Sequence, residues 1–332
     1  MNVLLIGAGA VGQVYGRHLQ RGGADVSFFV REKYADACRA GLVVYPLNES
    51  RSRKPIEFTG FGVVTTVEEV AASTWDQVWL CVSATALEGD WLAPLLGAIG
   101  SATLVSLQPG LEVKGRLAKH VPEAQIVMGM IGFISWQAPL PRTEADGPDP
   151  KPVPTPGMVY WFPPMSPSPF SGPDARVDPL VAALKRGDCP TRKTSDAAGA
   201  AAGPTALMMS ILTALELESW SFSQLLKSDS VQLAADAAHE ALDVVGSQLN
   251  NKQRMIKFAA RPWIIRLILR LGPRVVPFDL EVYIRYHFTK VGDQTQMLID
   301  SYIEDGAASA LPVTTLTTLR NKAWPEQLSD SR

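Results

Sequence analysis

Short apolar runs alternate with amphipathic stretches over the first part of this chain. Asn2-Val3-Leu4-Leu5-Ile6 is apolar and closes on glycines, which predicts a strand. Residues 12–21 carry helical spacing and stop at Gly22-Gly23. Residues 24–30 predict a second strand, 34–40 a short helix and 41–45 a third strand. Residues 66–72 read as helix, 77–82 as a buried strand that is apolar after Gln77, and 92–99 as helix. Residues 103–107 and 126–134 predict two more strands. Strands apolar on both faces, alternating with helices, suit a parallel sheet covered on two sides.

The pattern then changes twice. About half of the 25 prolines fall between Pro139 and Pro173, which excludes helix and disfavours a central strand. Within that segment 142–156 reads as a polar surface loop and 158–162 as an edge strand. Residues 163–173 carry Met165 and Phe170 and are expected to pack rather than dangle. From about Asp196 the spacing is helical: 197–226 is long and apolar, 229–250 is amphipathic, and 281–306 reads as one long helix. The expected architecture is α/β, a doubly wound parallel sheet at 1–190 followed by an all-α domain at 191–332. The proline-rich segment 139–173 belongs to the first of these.

Gly7-Ala8-Gly9-Ala10-Val11-Gly12 joins the first strand to the first helix. In such a Gly-x-Gly-x-x-Gly elbow the first glycine permits the tight turn and the second admits a pyrophosphate against the backbone. The third lets helix and strand pack closely. The helix N-terminus adds free N–H groups and a partial positive charge. All six residues are therefore expected to hold a dinucleotide in a Rossmann-type sheet. Arg31, Glu32 and Lys33 follow the second strand, where the adenosine ribose lies, about 20 residues past the glycines. An acid there selects NAD, whereas cations pair with a 2′-phosphate. Arg31 comes first and Lys33 adds a second cation, so NADP(H) is the expected cofactor. The alternative is that these charges are merely solvated.

The chain has 31 basic and 33 acidic side chains, a net charge of −2, and no basic stripe of the kind that binds nucleic acid. Cys38, Cys81 and Cys189 show neither metal spacing nor an even set, which fits a reducing cytoplasm. The first residues lack the basic flank of a secretion signal. No run of about 18 apolar residues is present, so no transmembrane helix is expected.

The order of elements resembles the ketopantoate reductase family. The resemblance rests on Gly7-Ala8-Gly9-Ala10-Val11-Gly12, Val30-Arg31, Leu107-Gln108-Pro109-Gly110, Met128-Gly129-Met130-Ile131-Gly132 and Leu212-Thr213-Ala214. It covers most of the chain and is specific in the first domain, loose in the second. It implies an NADP-binding sheet domain, a helical substrate domain and NADPH-dependent reduction of a 2-keto group. It also implies Ser83 and Gln108 as cofactor contacts. The sequence departs from the family at three places. Val82-Ser83-Ala84 stands where the family has a lysine, and Gln108-Pro109-Gly110 where it has Gln-Asn-Gly. The family's proton-donating lysine lies on the first long helix of the second domain, and here no lysine or arginine occurs between Lys193 and Lys227.

Hydride delivery to a carbonyl leaves an alkoxide that needs a proton and a nearby donor, a contribution of roughly 10²–10⁴-fold. Replacements are expected on the late helix. Tyr286, Thr289, Lys290, Asp293 and Gln296 or Met297 share one face at helical spacing, with His287 beside them. Lys290 reads as an acid oriented by Asp293, and His287 as a proton shuttle near neutral pH; the plain alternative is an exposed Lys–Asp pair. Glu216 and Glu218 are either carboxyls of raised pKa or solvated helix-end residues. His18 and His120 read as surface positions. Arg266, Arg270 and Arg274 recur every four residues among bulky apolar ones. That segment reads as an interface or core helix, as a lid over a greasy, acidic substrate, or as a membrane-surface helix.

Three functions follow. One is a cytoplasmic, homodimeric NADPH-dependent oxidoreductase that reduces a carbonyl or imine carbon of a small molecule other than ketopantoate, between its domains. Another is a non-catalytic NADP(H)-binding sensor on the same scaffold, favoured by the missing lysine. Ketopantoate reduction through a substitute acid is a third.

Overall fold

β1 (Asn2–Ile6) lies inside an eight-stranded sheet, paired in parallel with β2 (Asp25–Phe29) on one side and β6 (Gln77–Leu80) on the other. The sheet continues through β7 (Thr103–Ser106) and β8 (Ile126–Gly129) beyond β6, and through β5 (Gly62–Val64) beyond β2, all parallel. Val3, Leu4, Leu5, Val78, Trp79, Leu80, Leu104 and Val105 are all fully buried. Only a sheet covered on both faces leaves consecutive strand residues dry. The strand order reverses between β1 and β6, and ligands of open parallel sheets bind beyond the carboxyl ends of strands at such a reversal.

A computed structural model describes residues 1–49 and 53–325. It divides the chain into one unit of Met1–Leu140 with Gly147–Ala198 and a second of Pro141–Asp146 with Gly199–Arg332. The boundary lies beyond the expected residue 190 because β12 (Thr191–Lys193) pairs with β11 (Ser168–Ser171) in the large sheet. Within the proline-rich segment, Pro141–Asp146 goes with the helical unit: Arg142 binds Asp279 at 2.9 Å and Asp146 pairs with Arg285.

The proline-rich segment is more ordered than its composition suggests. β11 sits between β8 and β12 although it contains Pro169. Phe170 is fully buried, whereas Met165 is wholly exposed. The expected strand at 126–134 is in fact two strands. The chain leaves β8 at Gly129 and enters β9 (Ile134–Ala138) of a second, four-stranded sheet. That sheet has the order β4 (Ile56–Phe58), β3 (Leu42–Pro46), β10 (Gly157–Trp161), β9. β10 is thus a central strand, not an edge, held parallel to β3 and antiparallel to β9.

The second unit is helical. Helix Ser230–Gln248 runs through its core, and buried Ala234, Ala235, Ala237, Ala238 and Ala241 let neighbours approach closely. Helix Ala197–Leu217 is long and apolar enough to cross a membrane by length and composition alone, contrary to the expectation that no segment would be. Its Ala206, Met209, Leu212, Ala214 and Leu215 are buried in the same core, so in this fold it is a core helix. The expected single helix at 281–306 is broken at Val291 into Leu280–Lys290 and Gly292–Ala308. Val291 leaves helical geometry at φ −115°, ψ 25°, where a β-branched residue precedes a glycine.

Candidate functional site

The elbow is built by three glycines with three different tasks. Gly7 adopts φ +101°, open to glycine but strained for other residues. Its N–H donates to Phe29 O at 2.9 Å, which ties the turn to the end of β2. A Cβ on Gly12 would come within 2.0 Å of the Gly7 carbonyl oxygen, so this glycine exists for packing. A Cβ on Gly9 would meet nothing within 4 Å. Gly9 is exposed and its glycine identity answers no packing need inside the chain. That is the signature of backbone kept clear for something outside it.

Helix Ala10–Arg21 begins at Gly9 with no side-chain cap and no acid in its first turn. The N–H groups of its first turn have no partner within the helix. Gln13 braces the elbow from inside, its Nε2 donating to Ala8 O at 2.8 Å. Ala8, Ala10 and Val11 are half-buried along the rim. The elbow also abuts the end of β6: the Gly7 Cβ position lies 3.2 Å from Cys81 O and 3.3 Å from Val82 Cγ1.

At the end of β2, Arg31 and Lys33 are both exposed. Their charged groups lie 5.1 and 4.9 Å from the Tyr34 ring centre, and together they pull the Tyr34 phenol pKa below its ordinary value. Among the described residues neither cation forms an ion pair with an acid, adjacent Glu32 included. Tyr34 was not singled out from the sequence; an aromatic directly after two cations at a strand end is the signal that marks it.

Ser83 is exposed beyond β6, its Oγ 3.0 Å from Thr85 Oγ1. Gln108 is placed differently from expectation. It is buried, its Nε2 donates to Leu80 O at 2.9 Å and Val82 O at 2.8 Å, and its Oε1 accepts from Ser106 Oγ and Leu107 N. All four hydrogen-bonding positions of the amide are used within the protein. Gln108 therefore clamps the ends of β6 and β7 beside the elbow, and its side chain has no free group for a ligand.

Among the described residues no hydrogen bond or ion pair joins the three expected proton-transfer residues of the helical unit. Lys290 ends one helix and Asp293 begins the next, both are exposed, and among the described residues no ion pair joins them. The expected common face is lost because Val291 breaks the helix. Asp293 lines an open depression of about 500 Å³ with Gln296, Met297, Asp300, Ser301 and Glu304. His287 stacks on Tyr283 with ring centres 5.4 Å apart and meets Phe288 edge-on. Burial, helped by the Lys290 charge, lowers its pKa to about 4, so it is neutral rather than half-charged near pH 7. On helix Ala197–Leu217 the buried hydroxyls of Ser210 and Thr213 bond back to Ala206 O and Met209 O. That helix carries no ionisable side chain before Glu216, whose pKa burial raises. Glu218 accepts from Ser230 Oγ at 2.6 Å.

His18 is not a surface residue. It is buried on helix Ala10–Arg21, with Nδ1 2.6 Å from Gly187 O and Nε2 3.1 Å from the Tyr160 hydroxyl. A carbonyl only accepts, so Nδ1 carries the hydrogen and Nε2 accepts from Tyr160. Tyr160 in turn accepts from Arg17, which pairs with Glu49 at 2.9 Å.

The first unit is thus a dinucleotide-binding fold with a glycine elbow at its strand-order reversal. Residues 3–138 match the family model described as ketopantoate reductase PanE/ApbA. Among solved structures, a PanE/ApbA family ketopantoate reductase from Ralstonia eutropha JMP134 superposes with a TM-score of 0.71 at 18% identity, over 97% of each chain. A 2-dehydropantoate 2-reductase from Methylococcus capsulatus gives 0.69 at 16% identity, over 96% of this chain and 94% of that one. D-mandelate dehydrogenase, in a ternary structure with NADH and anilino(oxo)acetate, gives 0.70 at 13% identity over 97% of each chain. These likenesses establish the fold. No curated protein matches the chain.

Proposed function

We propose that the protein is a nicotinamide-dependent oxidoreductase that uses NADPH to reduce a carbonyl or imine carbon of a small molecule other than ketopantoate. The observation that carries this reading is the empty space over Gly9 at an uncapped helix N-terminus, beside the strand-order reversal. A pyrophosphate needs a backbone approach of this kind and unpaired N–H groups to receive it. A bound nicotinamide supplies the hydride. The chain's own part is to hold it: Ala8 to Gly12 by main chain, Arg31 and Lys33 by charge at the ribose 2′-phosphate, and Ser83 at the end of β6. Gln108 holds the Leu80 and Val82 carbonyls in place.

Lys290 is the proposed proton donor. It is solvent-facing, and neutral His287 lies one turn before it on the same helix. The match to the family model and the folds of D-mandelate dehydrogenase and the ketopantoate reductases support reduction at a carbon next to a carboxyl. The absence of any cation on helix Ala197–Leu217 argues against ketopantoate itself. The test is NADPH oxidation against a panel of keto acids, ketones and imines with ketopantoate included. Turnover of a compound other than ketopantoate supports the proposal.

One observation favours a second reading, a non-catalytic NADP(H) sensor: among the described residues Asp293 and Lys290 form no ion pair and His287 is uncharged, so these three are not preassembled for proton transfer. NADPH binding with no turnover on any compound favours this second reading.

A further inference from the structure

We propose that residues 252–278 form a docking surface for an anionic lipid membrane. Helix Pro262–Val275 buries only Ile265 and Leu269 against the helical core. Trp263, Leu267, Ile268, Leu271 and Val275 are left exposed, the last at 71%. At about 100° per residue these five fall within an arc of about 140° opposite the buried pair. Arg266, Arg270 and Arg274 run along one border of that arc. The preceding helix Arg254–Ala259 extends the surface with Met255, 82% exposed, and Phe258, half exposed. Arg261 lies over the Phe258 ring at 4.6 Å.

Charge selects the occupant. Residues 252–278 contain Lys252, Arg254, Lys257, Arg261, Arg266, Arg270 and Arg274 and not one aspartate or glutamate. Among the described residues Lys257 alone forms an ion pair, with Asp243. A second copy meeting this face across a two-fold axis would set the same cations against one another, which is electrostatically unfavourable. An anionic partner gains from every one of them. The apolar side chains lie along a helix flank, and an apolar flank bordered by cations, with a tryptophan among its residues, is the pattern of a helix lying in a lipid–water interface.

The test is co-sedimentation of the full chain with vesicles of phosphatidylcholine alone and vesicles containing one third phosphatidylglycerol. Sedimentation with the anionic vesicles only, a blue shift of tryptophan emission and loss of binding at high salt are the expected results. The triple variant Arg266→Gln, Arg270→Gln, Arg274→Gln should partition about 100-fold more weakly, roughly fivefold per cation. Trp263→Ser with Leu271→Ser should abolish partition while leaving the circular dichroism spectrum and NADPH binding unchanged. Failure of the wild-type chain to bind anionic vesicles overturns the proposal, as does equal binding to neutral vesicles. A dimer in light scattering that Trp263→Ser with Leu271→Ser splits, with no vesicle binding, assigns the surface to a second copy instead.

Discussion

Gly12 approaches the Gly7 carbonyl so closely that a Cβ there would sit 2.0 Å from its oxygen, while the Gly9 Cβ position two residues beyond Gly7 is empty. One motif therefore contains a glycine required by packing and a glycine required by nothing in the protein. Gly12→Ala should destabilise the first unit by about 1–3 kcal/mol, as overpacking does. Gly9→Ala should leave the melting temperature within error of wild type, its φ of −79° being open to alanine, yet weaken NADPH binding at least tenfold. Thermal melts paired with calorimetric titration separate the two. A Gly9→Ala variant with unaltered affinity contradicts a pyrophosphate at this position.

Arg31 and Lys33 lie beside the Tyr34 ring, and among the described residues no acid pairs with either. A hydrogen-bonded charge pair is worth about 1.5–3 kcal/mol, or roughly ten- to a hundredfold in affinity. Arg31→Ala should weaken NADPH by that factor and NADH by threefold or less. Equal losses for the two cofactors contradict a 2′-phosphate at this strand end.

Buried His18 makes stability depend on pH in a defined direction. Its pKa falls from the ordinary 6.5 to about 4, chiefly through burial, with the nearby Arg17 and Arg21 charges adding to the effect. Between these values the unfolded chain binds the proton and the folded chain does not, so stability drops as pH falls from about 6.5 towards 4. The full loss is about 3 kcal/mol. His18→Gln should flatten this slope in urea titrations across the range, even if it lowers stability at pH 7. An unchanged slope would show that His18 is not the titrating group. Half-buried His287, lowered to about 4 as well, acts with the same sign, and His287→Gln provides the matching control.

Lys290 is exposed at the end of its helix, so its removal should cost little stability. Lys290→Met should lower kcat by roughly 10²–10⁴-fold on whatever substrate the panel identifies, with NADPH affinity unchanged. Full activity in that variant removes Lys290 from proton transfer.

The parallel sheet and its elbow were legible because each element carries its own signal: apolar runs buried on both sides, then glycines whose spacing fixes the turn. What was not legible depends on partners far along the chain. β10 reads as an edge strand by its proline surroundings, yet β3, over a hundred positions earlier, covers one side of it. His18 reads as a surface residue on helical spacing alone. The backbone of Gly187 closes over it, with a Cβ position only 1.8 Å from His18 O. The apolar run at 126–134 conceals a change of sheet because Gly132 lies against the backbone of Ser166 and Ser168. In the candidate site, the residue types at the elbow were readable, whereas the enclosure of Gln108 was not. A glutamine at a strand end looks the same in sequence whether it faces a ligand or two carbonyls.

The central claim is that the elbow from Gly7 to Gly12, with Arg31 beside it, holds a phosphorylated nicotinamide dinucleotide. Isothermal titration of the full chain with NADPH and with NADH tests it most directly. The account predicts saturable binding of one NADPH per chain, at least tenfold tighter than NADH. Absence of heat with both reduced cofactors and both oxidised forms would contradict it.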